Sequence, residues 1–196
     1  KAQSQVVATG SDAISVSEVD YSVVTDTEQL SSLVQELDKS SRLCINIEVQ
    51  GTHFLDIQII GIGLSSGPGH ASYIPVGHFC EDSSKQLELK VVLDKITPLI
   101  ENKEINKCGY DMKFISHVLQ ANATKLSSVT TDVLLASYVL NSVATKHELN
   151  DIAKKYLIVT LPDFSDLLGK GRNKLTLTLS ELSVTELAAF ANERTD

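Results

Sequence analysis

The chain has 196 residues, of which 42% are apolar and 21% are charged. This length and composition indicate one folded domain and argue against a disordered, fibrous or low-complexity chain. No stretch approaches the roughly 18 apolar residues of a membrane span, and the N-terminus lacks the apolar core of a signal peptide. We therefore expect no membrane association and a cytoplasmic location. The three cysteines, which form no Cys-x-x-Cys pair, fit that reducing compartment.

The charge balance bears on nucleic-acid binding. Seventeen basic and 25 acidic residues give a net charge of −8, opposite to that of a domain held to nucleic acid mainly by phosphate neutralisation. Contact with DNA would need a local basic patch. Residues 154–174 offer one candidate, although a solvated face explains the same charges: the basic residues are Lys154, Lys155, Lys170, Arg172 and Lys174, and the acids are Asp163 and Asp166.

The first half of the chain is predicted to contain a short strand, a helix and a β-meander. Residues 1–18 are rich in Ser, Ala and Gly and are predicted to be a linker or disordered segment, so the domain would span residues 19–196. A short strand at 21–24 precedes a helix that has capping residues at 25–28 and apolar residues at a spacing of three and four. Three β-rich runs separated by turn residues, at 43–49, 57–64 and 71–76, predict an antiparallel meander.

The second half changes to alternating and then helical elements. The strand at 71–76, a helix at 87–100 and a strand at 105–108 form a β-α-β pattern, and a helix at 112–119 follows. Helical patterns follow at 132–140, 147–156, 164–168 and 183–192. A meander followed by β-α-β and helices predicts an α/β domain of ribonuclease-H-like type, with a mixed sheet flanked by helices.

Three segments carry a specific pattern: YIPVGH at 73–78, ASYVLNSVA at 136–144 with His147 after it, and GKGRNKLT at 169–176. Together they closely resemble the 3′–5′ exonuclease domain of bacterial DNA polymerase I, a family A polymerase. The likeness covers about residues 20–196. It implies a parent DNA-directed DNA polymerase that acts in DNA replication and repair, with the polymerase domain of the same chain as the partner of this domain.

Active members of this family use four carboxylates from three motifs to hold two divalent ions, Mg²⁺ or Mn²⁺, for phosphodiester hydrolysis. The first motif is Asp-x-Glu on a strand, where alternate side chains point to the same face. Here it reads Asn46-Ile47-Glu48. Glu48 is retained, whereas Asn46 offers only a neutral amide oxygen.

The second motif carries the next carboxylate at the start of a helix, and two registers are open. Ungapped counting back from Asp132 places Ile115 at the ligand position, and isoleucine cannot bind a metal. A rival register matches Tyr110-Asp111 instead. That register needs four inserted residues before Asp132 and gives up the match at Gly109-x-x-x-Lys113.

The third motif is Tyr-x-x-x-Asp, whose spacing of four puts a water-orienting hydroxyl and a carboxylate on one helix face. Here Phe190 and Arg194 occupy those positions. Glu48 and Arg194 then sum to zero formal charge, so the resemblance implies a site without metal. We also expect Glu48 and Arg194 to approach each other, because a buried carboxylate needs a partner.

Other positions bear on binding of the DNA strand. Thr52 replaces a leucine that wedges at the terminal base in related sequences, whereas Phe164 matches the aromatic residue that stacks on the substrate strand. Phe164 is equally compatible with a core position. Lys170 and Arg172 are candidates for phosphate contact.

Three functions follow from these residues. The first is an exonuclease-like domain that has lost its metals and acts as a structural, DNA-contacting platform for the polymerase. The alternative is an active metal-dependent proofreading exonuclease that uses Glu48, Asp111 and Asp196. A stand-alone nucleic-acid-binding module is disfavoured by the net charge of −8.

Overall fold

The computed structural model describes residues 19–51, 56–80, 85–143, 146–167 and 178–196. The strands are β1 (Asp20–Val23), β2 (Arg42–Gln50), β3 (Gln58–Gly67), β4 (His70–Pro75), β5 (Asn106–Gly109) and β6 (Val129–Asp132). The α-helices are α1 (Thr27–Leu37), α2 (Leu89–Glu101), α3 (Met112–Ala121), α4 (Val133–Leu140), α5 (Leu149–Tyr156), α6 (Phe164–Leu167) and α7 (Val184–Thr195). A 3₁₀ helix (Leu179–Glu181) precedes α7.

The strands form one mixed sheet in the order β1-β4-β3-β2-β5-β6. Strands β2, β3 and β4 are the predicted antiparallel meander. Strands β5 and β6 extend the sheet parallel to β2, and β1 joins the other edge parallel to β4. The predicted fold class is therefore confirmed. The predicted linker at 1–18 lies outside the described residues and stays a prediction.

Several element boundaries differ from the sequence prediction by one to three residues. The helix predicted from residue 132 begins one residue later, because Asp132 is its N-cap and also ends strand β6. The last helix extends beyond residue 192 to Thr195. The predicted capping segment before α1 is confirmed, since the Asp26 carboxylate accepts backbone N–H bonds from Glu28 and Gln29 at 3.0 and 2.8 Å.

A hydrophobic core lies on each face of the sheet. The larger one joins the sheet to α1, α2 and α3, and the smaller one joins it to α7 and the 3₁₀ helix. Because neighbours on a strand alternate, β2 sends Ile45 and Ile47 into the larger core. Asn46 and Glu48 therefore point to the side where α7 lies.

Two glycines of β3 allow close packing on the α7 side. A Cβ atom on Gly63 would overlap the Thr195 hydroxyl, and one on Gly61 would overlap the Tyr73 ring. Gly63 therefore lets the last turn of α7 lie directly on the sheet, near the strand that carries Glu48. None of the described helices is long and apolar enough to cross a membrane.

Candidate functional site

The polar centre of the site is the pair Asn46 and Glu48 on β2. The Asn46 side-chain N–H donates to Glu48 Oε1 at 2.9 Å, so the alternation predicted from the sequence does place both side chains together. Burial raises the pKa of Glu48 above its ordinary value. The hydrogen bond from Asn46 and the positive charge of Arg194 partly offset that effect.

Arg194 lies on α7 within electrostatic range of Glu48. Its guanidinium carbon lies 4.9 Å from the centroid of the Phe190 ring, in a cation–π contact. Two groups therefore compensate for the burial of the Glu48 carboxylate. Asn46 supplies the direct hydrogen bond, and Arg194 supplies a positive charge at longer range.

Two aromatic rings lie next to one another beside Arg194: Phe190, which contacts the guanidinium, and then Phe164. The Phe190 side chain is 4% exposed and packs edge-on against Phe164, with ring centroids 6.3 Å apart. Phe164 itself is 38% exposed. Both interpretations of Phe164 are thus compatible with the structure, because one part of the ring packs on Phe190 while another part faces solvent.

Ile115 is separated from this polar centre. It is 2% exposed and belongs to the larger core, together with Ile45 and Ile47. Those two residues project from β2 away from Glu48. The reason is the helical spacing of α3, whose buried side chains form one apolar face: Met112, Ile115, Val118 and Leu119.

Two aspartates at the carboxyl ends of β5 and β6 act as helix caps. Asp111, at a positive φ of 54°, accepts the backbone N–H of Phe114 at 3.1 Å. Asp132 accepts the N–H of Leu134 at 3.0 Å and that of Met112 at 2.9 Å, so it joins the starts of α4 and α3. This capping role was not predicted from the sequence. The signal for it is an aspartate at the start of the helical pattern at 132–140.

The Asp196 carboxylate forms hydrogen bonds at the β1 edge of the sheet. It accepts the Tyr21 hydroxyl at 2.9 Å and the Gly69 backbone N–H at 2.5 Å, which ties the end of α7 to the β1–β4 edge. Among the residues that the structure describes, no three His, Cys, Asp or Glu side chains are grouped so that they could hold a metal ion. The set Glu48, Asp111 and Asp196 of the alternative hypothesis is therefore not brought together.

The motif at 73–78 serves packing of the α7 side. His78 is fully buried, with Nε2 3.0 Å from the Tyr73 hydroxyl and Nδ1 3.1 Å from the Leu182 carbonyl. Since a carbonyl only accepts, Nδ1 must donate to Leu182, and the Tyr73 hydroxyl donates to Nε2. Burial lowers the pKa of His78, which agrees with this neutral form.

Ser137, Tyr138 and His147 of the motif at 136–147 form a second cluster, in which Ser137 and His147 are buried and Tyr138 is half-exposed. The His147 ring stacks on Tyr138 with centroids 4.1 Å apart, and its Nδ1 lies 2.8 Å from the Ser137 hydroxyl. The Tyr110 hydroxyl donates to the His147 backbone carbonyl at 3.1 Å, which links this cluster to the segment after β5. Thr52, Lys170 and Arg172 lie outside the described residues, so their roles stay predictions.

Comparison with known proteins agrees with this architecture. The family model described as 3′–5′ exonuclease matches residues 21–183. DNA polymerase I of Pseudomonas aeruginosa is 31% identical over 182 residues, which is 91% of this chain and 20% of that protein. The chain belongs to the 3′–5′ exonuclease domain family of DNA polymerase I. The resemblance found in the sequence is thereby confirmed.

Further similarities define how much of a polymerase this chain corresponds to. DNA polymerase I of Synechocystis sp. is 31% identical over 140 residues, which is 68% of this chain and 14% of that protein. The chain therefore spans a fifth or less of the length of these two relatives. The structure of Trypanosoma brucei RNase D in complex with RNA U12 has the same fold, with a TM-score of 0.66 at 17% identity, over 89% of this chain and 59% of that one.

The raised pKa of Glu48 leads to a prediction about stability. Folding favours its protonated form, so this stabilising effect is present at low pH and is lost as the pH rises through the folded-state pKa. In metal-free buffer at pH 8, we expect Glu48→Gln to raise the melting temperature by roughly 2–4 °C, the shift that about 1 kcal/mol gives at this size. The gain should shrink towards pH 4.

Thermal melts of both proteins at the two pH values test this. Glu36→Gln, on the exposed face of α1, is the matched control and should change little. A lower melting temperature for Glu48→Gln at pH 8 would contradict the prediction, because the ionised carboxylate would then be stabilising.

Proposed function

We propose that this chain is an exonuclease-like domain that does not hydrolyse DNA and that serves as a structural, DNA-contacting platform for the polymerase domain of a longer protein. The observation that carries the proposal is the Asn46–Glu48 hydrogen bond beside Arg194. In active relatives, the resemblance places metal-binding carboxylates at the positions of Asn46 and Arg194.

The residues present do not fit two divalent ions. Within the part of the chain that the structure describes, no cluster of three metal-binding side chains includes Glu48, and one of its oxygens already accepts a hydrogen bond from Asn46. Arg194 adds repulsion, because the guanidinium whose charge acts on Glu48 would repel a divalent ion bound there. Ile115 contributes no ligand and faces the apolar core.

Contact with DNA without cleavage needs other groups. Phe164 keeps part of its ring exposed beside Phe190, where it could stack on a base. Lys154 and Lys155 are exposed in the last turn of α5, where they could meet phosphates. With a net charge of −8, such contacts would be local and weak, and they would weaken further with salt.

Metal titration tests the proposal. In a Mn²⁺ titration followed by electron paramagnetic resonance, we expect no saturable binding that depends on Glu48 up to millimolar metal. The titration compares the unmodified chain with Glu48→Gln and with the exposed-face control Glu36→Gln. Saturable binding that is lost in Glu48→Gln and kept in Glu36→Gln would overturn the proposal, because it would place a metal at the family position.

A further inference from the structure

Two of the three cysteines lie side by side in the sheet. The parallel register of β2 and β5 pairs Cys44 directly with Cys108. Paired positions on neighbouring strands are about 4.8 Å apart, which falls within the Cα separation of about 4.4–6.8 Å seen in disulfides. Both side chains are half-buried, so a small solute can reach them. The fold thus holds two thiols within bonding reach.

The surroundings give the two thiols different reactivity. The neighbouring Cys44 thiol lowers the pKa of Cys108, with help from Arg42 and against the effect of burial. The same neighbouring thiol and burial raise the pKa of Cys44. Since the thiolate is the nucleophile, Cys108 is suited to attack first and Cys44 to react second.

We propose that Cys44 and Cys108 are a redox-modification site that forms a reversible disulfide when the chain meets a peroxide. The Cys108 thiolate attacks one peroxide oxygen; the O–O bond breaks, hydroxide leaves and a sulfenic acid forms. The Cys44 sulfur then attacks the Cys108 sulfur. The S–S bond forms as the S–O bond breaks, and the departing hydroxide takes the Cys44 proton as water. In total, two thiols lose two electrons and the peroxide is reduced to water.

The remaining cysteine is an internal comparison. Cys80 is also a half-buried free thiol, but it follows β4 on a loop and has no partner in the register of the sheet. Reactivity due to exposure alone would modify Cys80 as readily as the other two. A disulfide confined to Cys44 and Cys108 requires the pairing of β2 with β5. This proposal does not depend on whether the domain cleaves DNA.

Peptide mapping tests the proposal. The reduced 196-residue chain is treated with hydrogen peroxide, alkylated with N-ethylmaleimide, digested without reductant and analysed by mass spectrometry. We expect free thiols to fall from three to one, with a single linked pair of peptides that contains Cys44 and Cys108. Dithiothreitol should restore all three thiols.

Variants that each lack one cysteine test which thiols form the link. Cys80→Ser should form the same link, whereas Cys44→Ser should form none and should accumulate over-oxidised Cys108. A link through Cys80, a link between two chains, or three intact thiols under peroxide would each overturn the proposal. Because the decisive mapping uses the unmodified chain, poor folding of a variant does not affect it.

Discussion

Ile115→Asp is expected to lower the free energy of unfolding by about 4 kcal/mol or more, among the largest effects of any single substitution in this chain. The side chain is 2% exposed within the larger core, where a carboxylate would have neither water nor a cationic partner. At this chain length, the melting temperature should fall by roughly 10 °C. Urea denaturation in metal-free buffer measures the loss.

Ile115→Val is the matched control, because it keeps the apolar character and should cost about 1 kcal/mol. A loss of less than about 1 kcal/mol for Ile115→Asp would contradict the assignment to the core. The carboxylate would then reach water or the polar centre around Glu48, where the family motif places a metal-binding carboxylate.

The second large effect is expected from rebuilding the first and third motifs together. The threefold variant Asn46→Asp, Phe190→Tyr and Arg194→Asp places three carboxylates and a hydroxyl around the polar centre and leaves Ile115 in the core. We expect saturable Mn²⁺ binding at least about 100-fold tighter than any binding by the unmodified chain, because a carboxylate replaces the repelling guanidinium. Asn46→Asp alone should show no such binding, because Arg194 remains.

Melting curves measure metal binding in the threefold variant. Mn²⁺ should raise its melting temperature, since a ligand that binds only the folded state stabilises it. Adding Glu48→Gln should remove that stabilisation. If the variant is folded by circular dichroism and its melting temperature does not respond to Mn²⁺, the account of the polar centre is contradicted.

The sequence predicted the architecture because its signals are local. Each signal lies within a short stretch of sequence. Examples are Asp26 before an apolar helical pattern and the three β-rich runs divided by turns. The pairing of β1 with β4 joins residues about 50 positions apart, and no local pattern indicates it. For the same reason, the sequence could not show that Cys44 lies beside Cys108.

The candidate site was predictable in part. Alternation on a strand placed Asn46 beside Glu48 without knowledge of the fold. The direction of Ile115 depends on how α3 packs, and the partners of Asp196 depend on where α7 ends on the sheet. Motif counting assigns a residue to a family position, but the three-dimensional packing decides which groups surround its side chain.

The central claim is that this domain does not hydrolyse DNA. The most direct test incubates the unmodified chain with single-stranded DNA that carries a label at its 5′ end, in Mg²⁺ or Mn²⁺. Asp111→Ala and Glu48→Gln are run in parallel, and a chelator is the blank. We expect no metal-dependent shortening by any of the three proteins. Robust digestion by the unmodified chain that is lost in Asp111→Ala would contradict the proposal and would favour the active exonuclease with Asp111 as a metal ligand.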